Sequence, residues 1–331
     1  MKLFCTLCIA FAVVCAVGVA SGQDDLGKQL GKIAGENAKG YLTPFLSPIG
    51  AGFNSGFYHS AELHGVLGFD IGVKAALITL GDEDKVFDFV LPSTISYSSG
   101  TGPSATLTAG ADYDQIVTGA PTAVGAKVGK EVKVKQTSSQ VALRGQTIFT
   151  TPQGFDLSGV AVIVPQASIG LPLGLEVTGR FMPTLKLGDV GKLNVMGFGL
   201  RHDIDQYIPL LPLDIAVHFA TQKMTMSDNS DKDIMSLSAT AFGAEVSKKL
   251  LFITVYGGFQ IESSTWTVEP YRYTDLSTNA TVEIKGLEVK GKNKSRFHVG
   301  ARMLLLFVNV HADYSFSTHP VLTAGVGISF R

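Results

Sequence analysis

Charged and histidine side chains alternate with apolar side chains along several segments of this sequence. In the segment 308–316, Val310 and Tyr314 share one set of alternate positions, and His311 and Asp313 share the other. Successive side chains of a β-strand point to opposite faces, so this spacing predicts strands with one apolar and one polar face. We predict that the ionisable residues of the polar faces line a common interior: Asp70, Lys74, Glu176, Arg180, Asp214, His218, Glu262, His298, Arg302, His311 and Asp313.

Two interpretations of this interior are open. The charged residues line a pore that selects polar or charged solutes, or they pair with one another and brace the wall or hold an N-terminal segment. Charges removed from water need partners, and both signs occur in similar number. The paired network is therefore favoured over the open pore.

The histidines raise two further possibilities. His59 and His64 are close in sequence, as metal ligands often are, but no third ligand accompanies them, so no metal and no cofactor is predicted. A hydrolase would need a serine beside a histidine. His218 and His311 lie on polar faces and serines are abundant, but this pattern is too common to indicate catalysis. We therefore predict that the protein is not an enzyme.

Residues 1–22 are predicted to be a secretory signal peptide. Lys2 precedes an apolar run over 3–19, and the small residues at 20–22 provide a cleavage site. All three cysteines lie in this range, so the exported chain is expected to have no disulfide and no thiolate site. The net charge of −1 gives no indication of a nucleic-acid partner.

Residues 23–64 are predicted to form an N-terminal helical plug or arm. Apolar residues occur there at helical spacing, and Pro44 and Pro48 are expected to end the helix. A plug inside a barrel and a loosely attached arm are both compatible with this pattern. The residues predicted to form the plug are Leu26, Leu30, Ile33 and Tyr41.

Residues 65–331 are predicted to form an all-β, antiparallel transmembrane β-barrel. Short connections alternate with longer polar ones, as they do between the two ends of outer-membrane barrels. A short amphipathic helix is expected within 201–211. The predicted strands are 66–79, 157–169, 172–183, 190–200, 212–223, 235–249, 251–263, 295–306, 309–317 and 321–330.

Within 82–156, Val86–Leu91 is predicted to be a strand, and the remainder is rich in Gly, Ser, Thr and Lys and shows no clear strand boundaries. Bacterial barrels of one chain have an even number of strands. If 82–156 contributes further strands, the barrel has about 12, within a range of about 10–14.

Two segments resemble an uncharacterised outer-membrane β-barrel family common in Bacteroidetes. The first is Y-L-T-P-F-L-S-P-I-G-A-G-F-N-S-G-F-Y-H-S-A at 41–61, which leads into L-G-F-D-I-G-V-K. The second is G-F-G-L-R-H-D-I-D-Q-Y-I-P at 197–209, followed by L-P-L-D-I-A-V-H. This resemblance implies a barrel but no established activity. At the level of fold alone, a segment ahead of a mid-sized barrel is also similar to transporters of long-chain fatty acids.

These observations predict an integral protein of the bacterial outer membrane that acts as a channel or transporter for a small solute, hydrophobic compounds included. A non-transporting barrel that serves as a structural anchor or surface binding protein is the alternative, and an outer-membrane lipid-modifying enzyme is the third. The expected partners are outer-membrane lipid, the barrel-assembly machinery and an unknown small solute. Phe330 is the penultimate residue, whereas outer-membrane barrels usually end on an aromatic residue.

Overall fold

A computed structural model describes the chain over residues 35–98, 104–186, 191–274, 281–284 and 286–330. The predicted signal peptide at 1–22 and the predicted plug residues Leu26, Leu30 and Ile33 lie outside these ranges. Among the described residues, the search for a helix with the length and apolar character of a membrane span finds none.

One α-helix, α1 (Glu36–Phe53), precedes the strands. The strands in chain order are β1 (Phe69–Thr79), β2 (Val86–Val90), β3 (Thr94–Ser98), β4 (Ser104–Thr108), β5 (Ile116–Pro121), β6 (Glu131–Lys133), β7 (Thr147–Thr150), β8 (Gly159–Leu171), β9 (Leu175–Lys186), β10 (Lys192–Asp203), β11 (Asp214–Ser227), β12 (Asp233–Leu250), β13 (Ile253–Val268), β14 (Tyr271–Thr274), β15 (Thr281–Ile284), β16 (Leu287–Lys290), β17 (Ser295–Leu305), β18 (Val308–Phe316) and β19 (Val321–Phe330). Single turns of 3-10 helix occupy Asp82–Asp84, Val141–Leu143 and Asp205–Tyr207.

Ten antiparallel strands close into a barrel. The order around the ring is β1, β8, β9, β10, β11, β12, β13, β17, β18 and β19, and β19 pairs with β1. Strand β16 lies outside the ring and pairs with the end of β13 that β17 does not reach. Each of the ten strands predicted from the alternation is present, with shifted ends. The expected number of about 12 is wrong for the closed ring, although ten lies inside the predicted range.

The apolar faces of the ring strands point outwards. Along β18, exposed and buried residues alternate without interruption, and Val310 and Tyr314 are exposed while His311 and Asp313 are buried. The last strand repeats the pattern, with Ile328 exposed and Ser329 buried. A closed ring leaves no unpaired strand edge, so the backbone groups of the strands do not need water as a partner. The outward face can therefore carry apolar side chains.

The two ends of the barrel differ. At the end that we call the turn end, neighbouring ring strands are joined at 172–174, 204–213, 251–252 and 306–307, and the chain enters β1 and leaves β19. At the opposite end, the loop end, the connections at 80–158 and 269–294 are long. The amphipathic helix expected within 201–211 is reduced to the 3-10 turn Asp205–Tyr207, because β10 continues to Asp203.

The turn end carries a ring of unusual leucines. Five of them have a left-handed backbone, which non-glycine residues rarely adopt, and all five are more than two-thirds exposed. Such positions usually hold Gly, Asn or Asp. The turn leucines are Leu67, Leu173, Leu210, Leu251 and Leu306.

The described residues of the segment 80–157 form a cap at the loop end. Three two-stranded sheets make up the cap, and they pair β2 with β5, β3 with β4, and β6 with β7. None of these strands exceeds six residues, whereas a strand that crosses a membrane needs about 9–11. The expectation that 82–156 adds strands to the barrel is therefore wrong, because the strands of this segment are too short to cross a membrane.

Helix α1 runs from the cap into the barrel. Near its start, the Tyr41 hydroxyl donates to the carbonyl of Gln153 in the cap (2.7 Å), and burial raises the pKa of Tyr41 to about 12. Further along, the Trp266 indole N–H of the barrel wall donates to the carbonyl of Leu46 (2.8 Å). One apolar core joins the cap, α1 and the wall at the loop end.

The expectation that Pro44 and Pro48 end the helix is wrong, because both lie inside α1. Each proline removes one hydrogen bond from the helix. Both rings are buried, so contacts with the surrounding wall and cap offset this loss. The predicted plug residue Tyr41 is fully buried in the same core.

We expect Gly52→Leu to push α1 away from the barrel wall. A Cβ at Gly52 would lie 2.8 Å from Ile78 and 2.9 Å from Val162, so the larger side chain overpacks the core and should cost about 1–3 kcal/mol. Trp266 is the single tryptophan and is buried against α1. Displacement of α1 should expose Trp266 to water, so its fluorescence emission should shift to longer wavelength. Gly65→Ala, whose Cβ meets no atom within 4 Å, should leave the emission unchanged; an unshifted Gly52→Leu spectrum would contradict the packing.

Candidate functional site

The lumen of the barrel is occupied by the chain that follows α1. We call residues 53–64 the lumen segment. Its start bonds with the wall below the loop end, since Asn54 donates to the carbonyl of Ser263. Its end lies near the turn end, where His64 contacts Ser329. The segment thus crosses the lumen from the loop end to the turn end and continues into β1.

Arg180 of β9 holds the beginning of the lumen segment. Its two terminal nitrogens donate to the carbonyls of Phe53 and Ser55, each at 2.7 Å. Its Nε donates to Gln166 on the neighbouring strand (2.9 Å), which fixes the guanidinium plane. The same guanidinium lies 3.6 Å from the centre of the Phe57 ring. Arg180 therefore binds the segment through its backbone and through an aromatic face.

Arg296 of β17 makes a second clamp on the end of α1. It donates to the carbonyl of Ala51 (2.6 Å) and to the hydroxyl of Ser55. Glu262 on the adjacent strand accepts from Arg296 Nε at 2.7 Å and from Nη2 at 2.9 Å. This two-point pairing orients the guanidinium, so its remaining donors point at the chain in the lumen.

Arg201 of β10 makes the third clamp, nearer the turn end. It donates to the carbonyl of Ser60 and to Glu176 (2.7 Å), and its guanidinium lies 4.4 Å from the centre of the Tyr58 ring. Glu245 lies 3.5 Å away on the other side. Wall amides complete the set, since Gln166 donates to the carbonyl of Phe57 (2.7 Å).

The structure places the predicted interior residues on the inner face of the barrel. All are buried except Asp214, which is half-buried at the turn end. Asp214 accepts a hydrogen bond from Ser247 (2.9 Å), whose oxygen accepts from the N–H of Ala61 in the lumen segment. The His298 ring lies 6.2 Å from that of Tyr256, centre to centre, and the Tyr256 hydroxyl donates to Asp313 (3.0 Å). These residues form a hydrogen-bonded network around the segment.

Lys74 and Asp70 of β1 belong to a separate cluster in the lumen. Lys74 donates to Nε2 of His311 (3.0 Å), and Nδ1 of His311 bonds with Asn309 (3.1 Å). Asn309 in turn donates to Asp70. The His59 ring packs against that of His311 with ring centres 4.3 Å apart. His59 therefore packs inside the lumen.

His64 joins two strands that are far apart in sequence. Its Nδ1 lies 2.7 Å from Glu176 and its Nε2 lies 3.0 Å from the Ser329 hydroxyl. The backbone N–H of His64 also donates to Glu176 (3.1 Å). Arg302 donates to the same Ser329 hydroxyl (3.0 Å). This is a serine, a histidine and a carboxylate in a continuous chain.

The two histidines considered for catalysis have other partners. His218 pairs with Glu245 (2.9 Å), and His311 bonds with Lys74 and Asn309. In the part of the chain that the structure describes, no cluster of three or more His, Cys, Asp or Glu residues is suited to hold a metal ion. A cavity of about 20 Å³ lies between Asn54, Glu245 and Gln260, which is enough for one water molecule.

Several residues of the network escaped the sequence analysis. Arg201 falls just beyond the predicted strand 190–200, although it continues the alternation of Gly197 and Gly199. Arg296 has the same parity as His298 and Arg302, so the two-residue period contained the signal. Glu245 lies inside a predicted strand but is flanked by Ala and Val, and its face was not assigned.

Comparison with solved structures finds outer-membrane proteins with low sequence identity and low TM-scores. In-vitro folded OmpT of Vibrio cholerae is 10% identical, with 81% of this chain and 100% of that chain covered and a TM-score of 0.26. The translocator domain of the autotransporter NalP from Neisseria meningitidis is 9% identical, with 82% and 90% covered and a TM-score of 0.29. Pseudomonas aeruginosa OccK11 (OpdR) is 8% identical, with 82% and 98% covered and a TM-score of 0.22.

The assignment of the fold as a barrel depends on the strand pairings described above. No curated protein matches the chain. A family model described as a family of unknown function matches residues 1–330. The chain therefore belongs to the DUF6588 family of unknown function.

Proposed function

We propose that this protein is an integral outer-membrane β-barrel whose lumen is closed by its own N-terminal segment and which anchors the cap at the cell surface. The observation that carries this proposal is the set of wall arginines that bind backbone carbonyls in the lumen. A barrel filled in this way serves as a membrane anchor, and the cap and loop end form the surface available to a partner.

The location in a membrane is supported by the outer surface. Large apolar side chains cover the outward face of the ring strands, such as Phe259 and Ile261 on β13 and Val326 on β19, each more than half exposed. Exposed apolar patches of this extent are unfavourable in water. These side chains are stable in the hydrocarbon of a membrane. The backbone N–H and C=O groups of the strands form hydrogen bonds with neighbouring strands of the closed ring. The long loops then face outwards and the short turns face the periplasm.

Closure of the lumen is supported by the two layers that fill it. Near the loop end, apolar wall residues such as Ile78, Val162 and Leu237 pack in one core with α1. Below them, the three clamp arginines and the wall amides bind the lumen segment. A water-filled channel would require the segment to leave, and this would break the hydrogen bonds that hold its carbonyls to Arg180 and Arg201.

The channel or transporter predicted from the sequence remains the competing function. Its solute, including the hydrophobic compounds suggested by the analogy with fatty-acid transporters, would pass only after the lumen segment moved. The charged wall would then line a selective pore. The expected dependence on outer-membrane lipid and on the barrel-assembly machinery is common to both functions and does not separate them.

Conductance of single barrels in planar bilayers separates the two functions. We expect the purified full-length protein to insert without stable conductance steps. The double variant Arg180→Gln, Arg296→Gln should give frequent openings, because it removes donors to four carbonyl or hydroxyl oxygens of the segment and helix end. The control Arg144→Gln changes an arginine of the cap, whose Nε donates to Ser138, and should stay closed.

Stable conductance of the unmodified protein would contradict the closed anchor and would establish the channel. A closed double variant that still migrates faster unheated than boiled, as a folded barrel does, would show that the arginines do not hold the segment. Both results are interpretable only for protein in the folded state, so each preparation is checked by this migration first.

We also expect the single variant Arg180→Met to lower the free energy of unfolding of the barrel by about 2–5 kcal/mol, because the buried carbonyls of Phe53 and Ser55 lose their donors. Arg180→Lys should recover only part of this loss, since an ammonium cannot reproduce the planar fork. Urea unfolding in detergent, followed by heat-modifiable migration, measures the difference. Equal stability of Arg180→Met and the unmodified protein would refute the clamp.

A further inference from the structure

Ser329, His64 and Glu176 meet in the lumen close to the turn end. His64 Nε2 lies 3.0 Å from the Ser329 Oγ, and His64 Nδ1 lies 2.7 Å from Glu176 Oε2. All three side chains are buried. The three residues come from β19, the lumen segment and β9, so closure of the barrel brings them together.

The neighbouring arginine fixes the direction of the hydrogen bonds. Arg302 Nη2 donates to the Ser329 Oγ (3.0 Å), and a guanidinium has no acceptor. The hydroxyl proton of Ser329 is therefore free to point at His64 Nε2, and we assign this nitrogen as its acceptor. His64 then carries its own proton on Nδ1 and donates it to Glu176. This is the tautomer that a histidine needs in order to take a proton from a serine.

We propose that Ser329, His64 and Glu176 form a nucleophile, base and carboxylate set for acyl transfer, and that the substrate is the carboxylic ester of a membrane lipid. The arrangement matches the roles required for an activated serine: a nucleophile, a base within hydrogen-bond reach, and a third group that orients the base. Glu176 is itself fixed, because Arg201 occupies its other carboxylate oxygen.

The surroundings of Ser329 point to a lipid. The turn leucines and the aromatic residues Phe69, Phe307 and Phe330 expose apolar surface around the same end of the barrel. The Phe330 ring, next to Ser329 in sequence, stacks on both Phe69 and Phe307 with ring centres 6.0 and 6.2 Å apart. This apolar rim continues the outer face of the barrel, so acyl chains can reach the level of Ser329.

A short exposed segment borders the site. Residues 65–68 follow His64 directly, and two backbone hydrogen bonds hold them to Gly170: Leu67 N–H to its carbonyl (2.9 Å) and its N–H to Gly68 (2.8 Å). Val66 and Leu67 are 63% and 72% exposed. We place the approach of the acyl chain beside this segment, because its apolar side chains are exposed and it follows His64 directly.

The reaction follows from these positions. Ser329 Oγ attacks the ester carbonyl carbon while its proton passes to His64 Nε2. Arg302 is placed to stabilise the resulting oxyanion, since its buried Nε has no hydrogen-bond partner among the described residues. Collapse breaks the ester bond, and the leaving alcohol takes the proton from His64. Water then attacks the acyl-serine with His64 as base, which releases the fatty acid and restores the serine.

An alkyl fluorophosphonate tests the serine directly, because it forms a phosphonyl–serine bond and releases fluoride only where the serine is activated. The full-length protein in detergent and in phosphatidylethanolamine vesicles is exposed to the probe, and the labelled peptide is identified by mass spectrometry. We expect one label, on Ser329. The vesicle sample without probe should release fatty acid.

The variants separate an activated serine from a structural one. Ser329→Ala should abolish labelling and fatty-acid release, and His64→Gln should slow both by about 100-fold or more. Ser168→Ala is the matched control, because Ser168 and Ser329 flank Asp70 at the same level of the barrel and the Ser168 hydroxyl bonds with that of Thr178 (2.8 Å). It should behave as the unmodified protein.

The unmodified protein needs no variant to fold, so it alone can overturn the proposal. Absence of a label, a label on any residue other than Ser329, or labelling without fatty-acid release would each do so. Equal labelling of folded His64→Gln would also do so, since it would show that His64 does not activate the serine. None of these results depends on whether the lumen conducts ions.

Discussion

The structure depends on one constraint, which is that a non-helical chain inside a barrel must have its backbone polar groups satisfied by the wall. Buried carbonyls and N–H groups without partners are costly, and little water is available in this lumen. Arg180, Arg201 and Arg296 meet the constraint because a guanidinium carries five donors and no acceptor. Each arginine places some donors on a wall carboxylate or amide and others on the chain in the lumen. The wall and its contents are therefore a single hydrogen-bonded body.

Barrel size and lumen contents constrain each other. The lumen of a barrel of about eight strands is filled by its own side chains, and larger barrels leave additional space. Ten strands leave room for one extended segment, and small residues make the fit close. Gly56 shows this best, since it has a left-handed backbone and a Cβ there would lie 2.6 Å from Thr323. Short strands in 80–157 keep the ring at ten and cover its open end, so the cap and the lumen segment close the same barrel from two positions.

Much of this architecture could be predicted from the sequence, and the failures have physical causes. The two-residue period located all ten ring strands because one face meets an apolar environment and the other a polar one. The two-residue period does not indicate which residues meet across the lumen. The hydrogen bond from Arg180 to Phe53, 127 positions away, could therefore not be predicted. The end of α1 was predicted wrongly because burial of Pro44 and Pro48 overrode the tendency of proline to end a helix. The strand count failed because composition alone did not reveal that the strands of 82–156 are too short to cross a membrane.

The chain of contacts at the turn end shows how one arrangement serves both structure and chemistry. Arg201, Glu176, His64, Ser329 and Arg302 are linked in series, and the two arginines at its ends can only donate. With the Ser329 hydroxyl proton directed at His64 Nε2, each proton between them has a place, which is what a rigid brace requires. The same assignment leaves His64 Nε2 unprotonated beside a hydroxyl, which is what a base requires. The same five residues can therefore brace the lumen segment and supply the base that the proposed chemistry needs.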